Sequence, residues 1–394
     1  MTAAADKPYQ DLRRTYATHP FGAPESPTFI DILKFYFEPE EAALAANMSF
    51  QPEPEEVIAK RAGLSLEDAS QLLTKMSSKM FIIGFRRPNG TRTFRLKIIG
   101  AGPALFEIPF ILREPSPDLE RLGDLWDQYL NEGHGKDLHS GGVAISRTLP
   151  AIKAPKENVL PFEDAVEVVK RAPSPVIVPC SCRVAHRNCD DPIRVCIGLS
   201  EANPSPREDG TPVIEPHHFV GNLGRIRPAP VDEVVETLKM ASDAGLVHMT
   251  LNCQDDPWFI CNCCPHACGL LRGVTTFKGA GAVAPSSFWS VLDEDLCNGC
   301  GNCVLRCPVD AITMKDDLPE IKYELCLGCG QCTFVCAPDA LSLQKREDKI
   351  LTPPQDDQQF FLAYAQGKGM SYPVHTHQPA SRPPAPTPPA AASP

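Results

Sequence analysis

Two copies of one cysteine spacing stand near the C-terminal end, and they constrain this chain more than any other feature. The first copy is Cys297-x2-Cys300-x2-Cys303-x3-Cys307, followed by Pro308. The second is Cys326-x2-Cys329-x2-Cys332-x3-Cys336, followed by Ala337 and Pro338. A cubane [4Fe–4S] core needs four thiolates around a compact centre, and three cysteines spaced by two residues wrap part of it on a tight loop. In paired motifs of this spacing the fourth thiolate comes from the other copy. The expected sets are Cys297, Cys300, Cys303 and Cys336 for one cluster, and Cys326, Cys329, Cys332 and Cys307 for the other.

Zinc also takes paired C-x2-C, but it needs four ligands per site and does not call for a doubled four-cysteine run. Gly299, Gly301, Gly328 and Gly330 let the backbone come close to a cluster and aim N–H groups at its sulfurs. Leu296, Val304, Ile312, Leu325, Phe334 and Leu341 are candidates to shield it from water. On these residues the segment from Val291 to Gln344 resembles bacterial two-cluster ferredoxins. The resemblance implies a small pseudo-symmetric α+β domain, each half built as strand, cluster loop, helix and strand. It also implies low-potential, one-electron transfer.

The chain is much longer than that segment. Its 394 residues predict two to four domains, and a 43% hydrophobic fraction supplies real cores. No run of 18 apolar residues occurs, and Met1–Pro20 lacks an apolar signal core, so a cytoplasmic protein without a membrane span is expected. Seventeen cysteines read more simply there as metal ligands than as disulfides. A net charge of −11 argues against a nucleic-acid surface spread over the whole chain and suits docking to basic faces of redox partners.

After an N-terminal arm (1–25), residues 26–112 read as a winged-helix-like unit. Apolar residues from Phe29 to Phe37 recur at helical spacing, Pro39 suits a helix start, and Gly63 ends a short helix that follows Pro54. Ser65 with Asp68 three residues on opens a longer helix. Two strands, Phe81–Arg87 and Thr91–Lys97, flank a Pro88-Asn89-Gly90 turn. Residues 51–100 hold nine Lys/Arg against five Asp/Glu, a local net of +4, and Arg86, Arg87, Arg92, Arg95 and Lys97 sit on the hairpin. Protein docking is the favoured use of this unit. Nucleic-acid binding through 51–100 is the alternative, motivated by the basic hairpin.

Residues 113–290 read as a cysteine-rich α/β region in which helices (Phe162–Arg171, Val231–Ala244) alternate with apolar strands (Val176–Val178, Leu246–Met249). His134 and His139 are read as loop histidines. Two dense groups begin where strands end, Cys180, Cys182, Cys189 and Cys196 in one and Cys261, Cys263, Cys264 and Cys268 in the other. Three arrangements compete: one [4Fe–4S] cluster per group, convergence of both groups on one cluster, or zinc in one group. Convergence has in its favour that the adjacent Cys263 and Cys264 seldom point at one core. Arg183, Arg187 and Arg194 can offset thiolate charge, and His186 or His266 can replace a thiolate. Cys253 is the single spare cysteine.

Residues 26–345 together are similar to a group of ferredoxin-type proteins of anaerobic bacteria. The likeness rests on Cys180 to Cys196, on Ile260 to Arg272 and on the doubled motif. Compared with that pattern, this chain lacks cysteine around His266 and Ala267. The resemblance implies α+β architecture and an electron carrier or electron-wiring subunit of an anaerobic oxidoreductase. It implies two [4Fe–4S] clusters in the ferredoxin domain (291–345) and one or two further clusters centrally. Its partners would be redox proteins. Two other functions are to be weighed: a redox- or iron-sensing winged-helix regulator, and a reductase with a catalytic central site. Gly279–Ala284 fits G-x-G-x-x-A but reads as a connector, because no strand enters it and Pro285 follows. Residues 346–394 read as an extended or disordered tail, the last 22 holding eight prolines.

Overall fold

The structure is a computed structural model describing residues 5–86, 90–100, 104–151, 159–160, 163–172, 175–199, 229–255, 257–277, 281–346 and 352–372. Pro88 and Asn89, Phe162, Gly279 and Ala280, and Pro373–Pro394 lie outside the described residues. The fold is α+β.

Three helices open the chain. α1 (Lys7–Tyr16) buries Tyr9, Leu12 and Tyr16 on one side. α2 (Pro27–Tyr36) starts at Ser26, whose hydroxyl accepts from Phe29 N–H at 3.3 Å. α3 (Pro39–Ala45) starts from a capping box between Glu38 and Glu41. β1 (Glu53–Pro54) leads into α4 (Glu55–Ala62), which ends at Gly63 with φ 69°, and then into α5 (Leu66–Ser78). The hairpin β2 (Ile82–Arg86) and β3 (Arg92–Leu96) pairs in the register Ile82↔Leu96, and β1 joins its far edge.

α6 (Glu107–Leu112) and α7 (Pro117–Tyr129) follow; α7 passes through a π-helical turn (Leu130–His134) into α8 (Gly135–Leu138). Leu119, Leu122, Trp126 and Tyr129 of α7 share one core with Leu12, Phe29, Tyr36 and Phe81. α1, in the segment expected as an N-terminal arm, packs into this core, and α7, expected in the central region, packs with the N-terminal helices. His134 and His139, expected on a loop, are both buried.

The central sheet has six strands: β4 (Ser146–Thr148), β5 (Val176–Pro179), β6 (Arg194–Gly198), β7 (Val247–Leu251), β8 (Phe259–Cys263) and β9 (Val283–Ala284). Their order is β5-β6-β8-β7-β4-β9, and only β4 with β9 is parallel. α9 (Ala165–Arg171) and α11 (Val231–Asp243) cover one face, with Val169, Val234 and Leu238 against Ile177, Ile197 and Ile260. This corrects the α/β expectation. Helix and strand do alternate in sequence, but β5 and β7, which the two helices feed, are separated by antiparallel neighbours. α10 (Ser181–His186) follows β5, and α12 (Arg272–Thr275) follows the second cysteine group.

The C-terminal region repeats strand, cysteine loop, helix and strand. β10 (Phe288–Leu292), α13 (Asn302–Arg306) and β11 (Ile312–Lys315) form one half; β12 (Leu318–Ile321), α14 (Gln331–Phe334) and β13 (Leu341–Lys345) form the other. The first strand pairs with the last, Ser290↔Leu343, and β11 with β12. Beyond it the expected extended tail is interrupted by α15 (Asp357–Gly367). Its Phe360, Phe361 and Tyr364 are buried with Phe21, and Tyr364 donates to the Leu138 carbonyl at 2.5 Å. These aromatics give the segment enough apolar surface to dock. Among the described residues no helix is long and apolar enough to cross a membrane.

Candidate metal centres

Cys297, Cys300, Cys303 and Cys336 line one C-terminal cavity, of about 310 Å³ out to its mouth, together with Gly301, Leu292, Val335 and Leu341. Cys336 arrives from the second copy of the motif because β10 and β13 are partners. The other four cysteines, Cys307, Cys326, Cys329 and Cys332, act on one another electrostatically, and burial pushes the Cys307, Cys329 and Cys332 thiols up. Cys307 Sγ accepts from Ala311 N–H at 3.2 Å, and Cys332 Sγ lies 3.2 Å from Ser290 Oγ. Gly328 has φ 64°, and a Cβ there would lie 2.0 Å from the Phe288 carbonyl oxygen, so the second loop closes only around glycine. Residues 290–347 match the family model described as a 4Fe-4S dicluster domain.

That region is iron–sulfur and ferredoxin-like, with [4Fe–4S] clusters as its cofactors and electron transfer as its role. The donor set fits them: four thiols around one cavity and backbone N–H groups at the sulfurs. Comparison with the curated proteins finds no match.

The two loops are not equivalent. In the first, Asn298 and Cys300 are exposed, and Leu296 is 52% and Leu305 89% exposed. In the second, Leu327, Gly328, Gly330, Gln331 and Cys332 are all buried. Cys329 O accepts from Ala151 N–H at 3.0 Å, Gly328 O from Ser286 Oγ at 2.8 Å, and Gln331 donates to Leu246 O at 2.8 Å. The second loop is thus sewn to the central sheet and the first faces solvent. Of the residues expected to shield clusters, Ile312 and Leu341 are buried, whereas Leu296 and Leu325 are exposed.

Six of the eight central cysteines, Cys180, Cys182, Cys196, Cys261, Cys263 and Cys268, line one cleft and make up a ring of mutually perturbing thiols. Thiol–thiol interactions run from Cys180 to Cys182, Cys182 to Cys268, Cys268 to Cys263, Cys263 to Cys261, Cys261 to Cys196, and Cys196 back to Cys180. Local structure explains this. Cys261 and Cys263 alternate on β8 and so share a face. Cys196 lies opposite Val178 in the β5–β6 pair, and Cys180 and Cys182 open α10 directly after β5. Each group contributes three members. Neighbouring thiols hold Cys180 and Cys268 well below the ordinary thiol range and Cys261 down to about 6, and push Cys182, Cys196 and Cys263 up.

The ring lines a cleft whose void, out to its mouth, is about 830 Å³, roofed by Ile99, Phe106, Trp126 and Leu130 from the N-terminal half. Arg183 is 2% exposed; its Nη1 donates to Asn262 O at 3.0 Å, and its Nε and Nη2 are buried without a hydrogen-bond partner. Burial disfavours its charge, but Cys180, Cys196 and Cys264 more than offset that and hold it above its ordinary value. A buried cation with unpaired N–H groups beside clustered thiols fits a negatively charged thiolate–metal centre. Arg187 instead pairs with Asp124 at 2.9 Å, and Arg194 is exposed.

Cys189 and Cys264 stand outside the ring, their Sγ atoms 3.8 Å apart, with His266 beside them. His186 lines the same cleft as the ring, 3.2 Å from Arg272 Nη1 and 3.7 Å from Asp127. Cys253 is buried and donates to Asp255 O at 3.3 Å.

Two features escaped sequence reasoning. Glu107 lines the cleft and accepts from Ala104 N–H at 2.6 Å; burial above all holds its carboxyl well above the usual range. Glu163 and Arg147 form a buried pair at 2.6 Å, and Glu163 also accepts from Ser287 N–H at 2.9 Å, joining the central sheet to the start of the C-terminal region. Neither lies in a motif, and only the fold brings them to their partners.

Proposed function

We propose that this protein is an electron-wiring subunit in which the C-terminal cysteine sets connect a redox partner to a further iron–sulfur centre held by the central ring. The observation that carries this reading is the inequivalence of the two loops. Cys297, Cys300, Cys303 and Cys336 lie on the outward side, where exposed Leu296 and Leu305 offer a partner an apolar contact. Cys307, Cys326, Cys329 and Cys332 lie on the side bonded to the central sheet. Two [4Fe–4S] clusters there supply one-electron exchange, with potentials tuned by N–H groups and solvent exclusion. In the central region the ring supplies the thiolates, Arg183 balances their charge, and the apolar roof limits water. A reducing cytoplasm and an anaerobic oxidoreductase system suit so many thiolates.

The N-terminal winged-helix-like unit serves docking in this reading. Arg92 is held by Glu55 at 3.4 Å and by Ser70 and Thr74, Arg95 is half-buried and Lys97 is buried. Arg92, Arg95 and Lys97 are therefore spent inside the protein, which supports protein contact over a DNA-sensing role.

The test is iron and acid-labile sulfide per chain, on full-length protein purified without oxygen. Roughly twelve iron, at four per cubane, supports two C-terminal clusters and a central one. About eight, unchanged in a Cys261→Ala/Cys268→Ala variant, sinks the central centre and confines electron transfer to the C-terminal region. A reductase reading has one observation in its favour: the ring lies in a cleft large enough for a small molecule. It predicts substrate-induced change in the spectrum of the reduced protein, which a pure conduit does not show.

A further inference from the structure

The two cysteines excluded from the ring are not left over. Cys189 Sγ, Asp191 carboxylate, Cys264 Sγ and a His266 ring nitrogen lie within 4.8 Å of one another. The sulfurs are 3.8 Å apart, and His266 Nδ1 is 3.8 Å from Asp191 Oδ2. A tetrahedral ion with bonds of about 2.3 Å to two thiolates places them roughly 3.8 Å apart. With bonds of about 2.0–2.1 Å, the nitrogen and oxygen would stand roughly 3.4 Å apart, a small closure from what is seen. The two loops are already tied together, since Asn188 Nδ2 donates to His266 O at 3.0 Å.

We propose that Cys189, Asp191, Cys264 and His266 form a mononuclear zinc site, separate from every iron–sulfur centre. Thiolate, imidazole and carboxylate are all donors that zinc accepts, and four of them complete its tetrahedral coordination, whereas a cubane asks for four thiolates. Cys264 is buried and His266 exposed, so the ion has a way in from solvent. The site clasps the loop after α10 to the turn after β8. These are the segments that lead to Cys196 and Cys268 of the ring, so the zinc fixes the entrance of the ring without belonging to it. This inference does not depend on what the ring holds.

Full-length protein from zinc-supplemented cells, purified without oxygen, tests it by metal analysis and zinc-edge X-ray absorption. The expected result is about one zinc per chain, with two sulfur neighbours near 2.3 Å and two nitrogen or oxygen neighbours near 2.0–2.1 Å. His266→Ala and Asp191→Asn should each lower zinc at least several-fold and leave iron and sulfide unchanged. Because His266 is exposed, its variant probes the ligand without opening the core. Absence of zinc from the unmodified protein, a four-sulfur zinc environment, a Cys189–Cys264 disulfide, or parallel loss of iron in His266→Ala would each overturn the proposal.

Discussion

Cys263 and Cys264 share a peptide bond and face two different sites. Cys263 is the last residue of β8 and belongs to the six-thiol ring; Cys264, one step beyond the strand, sits 3.8 Å from Cys189. The period of two in a strand forces consecutive side chains apart, so the two thiols of a Cys-Cys dipeptide at a strand end meet different neighbours. The eight central cysteines accordingly divide into six and two, not into two groups of four.

Removing a ring member should empty the central centre and leave the C-terminal region alone. Cys268→Ala, made in the full chain, is expected to lose about four iron, with the reduced C-terminal clusters keeping their electron paramagnetic resonance signals. Loss of those signals as well would mean that the ring and the C-terminal loops are one folding unit.

Arg183→Gln should lower the potential of the central centre, because a fixed positive charge favours the more negative, reduced state. The expected shift is on the order of 60 mV, the one-electron equivalent of a tenfold change in equilibrium constant. A redox titration of the full chain followed by absorbance checks it, and an unchanged or higher potential contradicts the charge-balancing role.

Glu163→Ala should destabilise the protein by up to about 3–5 kcal/mol, since it removes the carboxylate that sits 2.6 Å from the buried Arg147 guanidinium. Both side chains are at most 2% exposed, so solvent cannot replace the lost partner. Glu163→Gln keeps an acceptor and should cost less. Denaturant unfolding of anaerobic holoprotein, comparing the two variants, tests the order.

His19 is buried among Phe21, Phe50, Phe361 and Tyr372, and its Nδ1 accepts from Phe21 N–H at 3.2 Å. Burial, with Arg95 and Lys368 nearby, holds its pKa down to about 3, from 6.5. The folded value is the lower one, so its contribution is fully present above pH 6.5 and is lost as pH falls towards 3. At pH 5 the loss is about 2 kcal/mol. His19→Leu should flatten that part of the stability profile between pH 7.5 and 5; an unchanged slope would show that other groups carry it.

Much of the fold is legible locally. Ser65 opens a helix because its hydroxyl accepts from Asp68 N–H at 3.1 Å, and Gly63 stops the one before it with φ 69°. Both signals act within four residues, which is why the sequence shows them. The docking of α15 was not legible, because Phe360, Phe361 and Tyr364 become core residues only when Phe21 and Leu138, more than 200 positions away, are brought to them. Strand direction in the central sheet was hidden for the same reason: alternation of helix and strand does not say which strands become neighbours.

What the sequence determined by itself is the chemistry of the C-terminal region. Four-thiol spacing, with glycines that permit left-handed backbone, is a local property of two short loops. Tertiary structure alone decided which loop faces solvent and which is bonded to the central sheet. It also decided that Arg183 is buried beside the ring and that Cys189 and Cys264 leave it to meet Asp191 and His266. Spacing restricts what one loop can wrap, but partners from different strands are chosen by sheet order and by the alternation of faces.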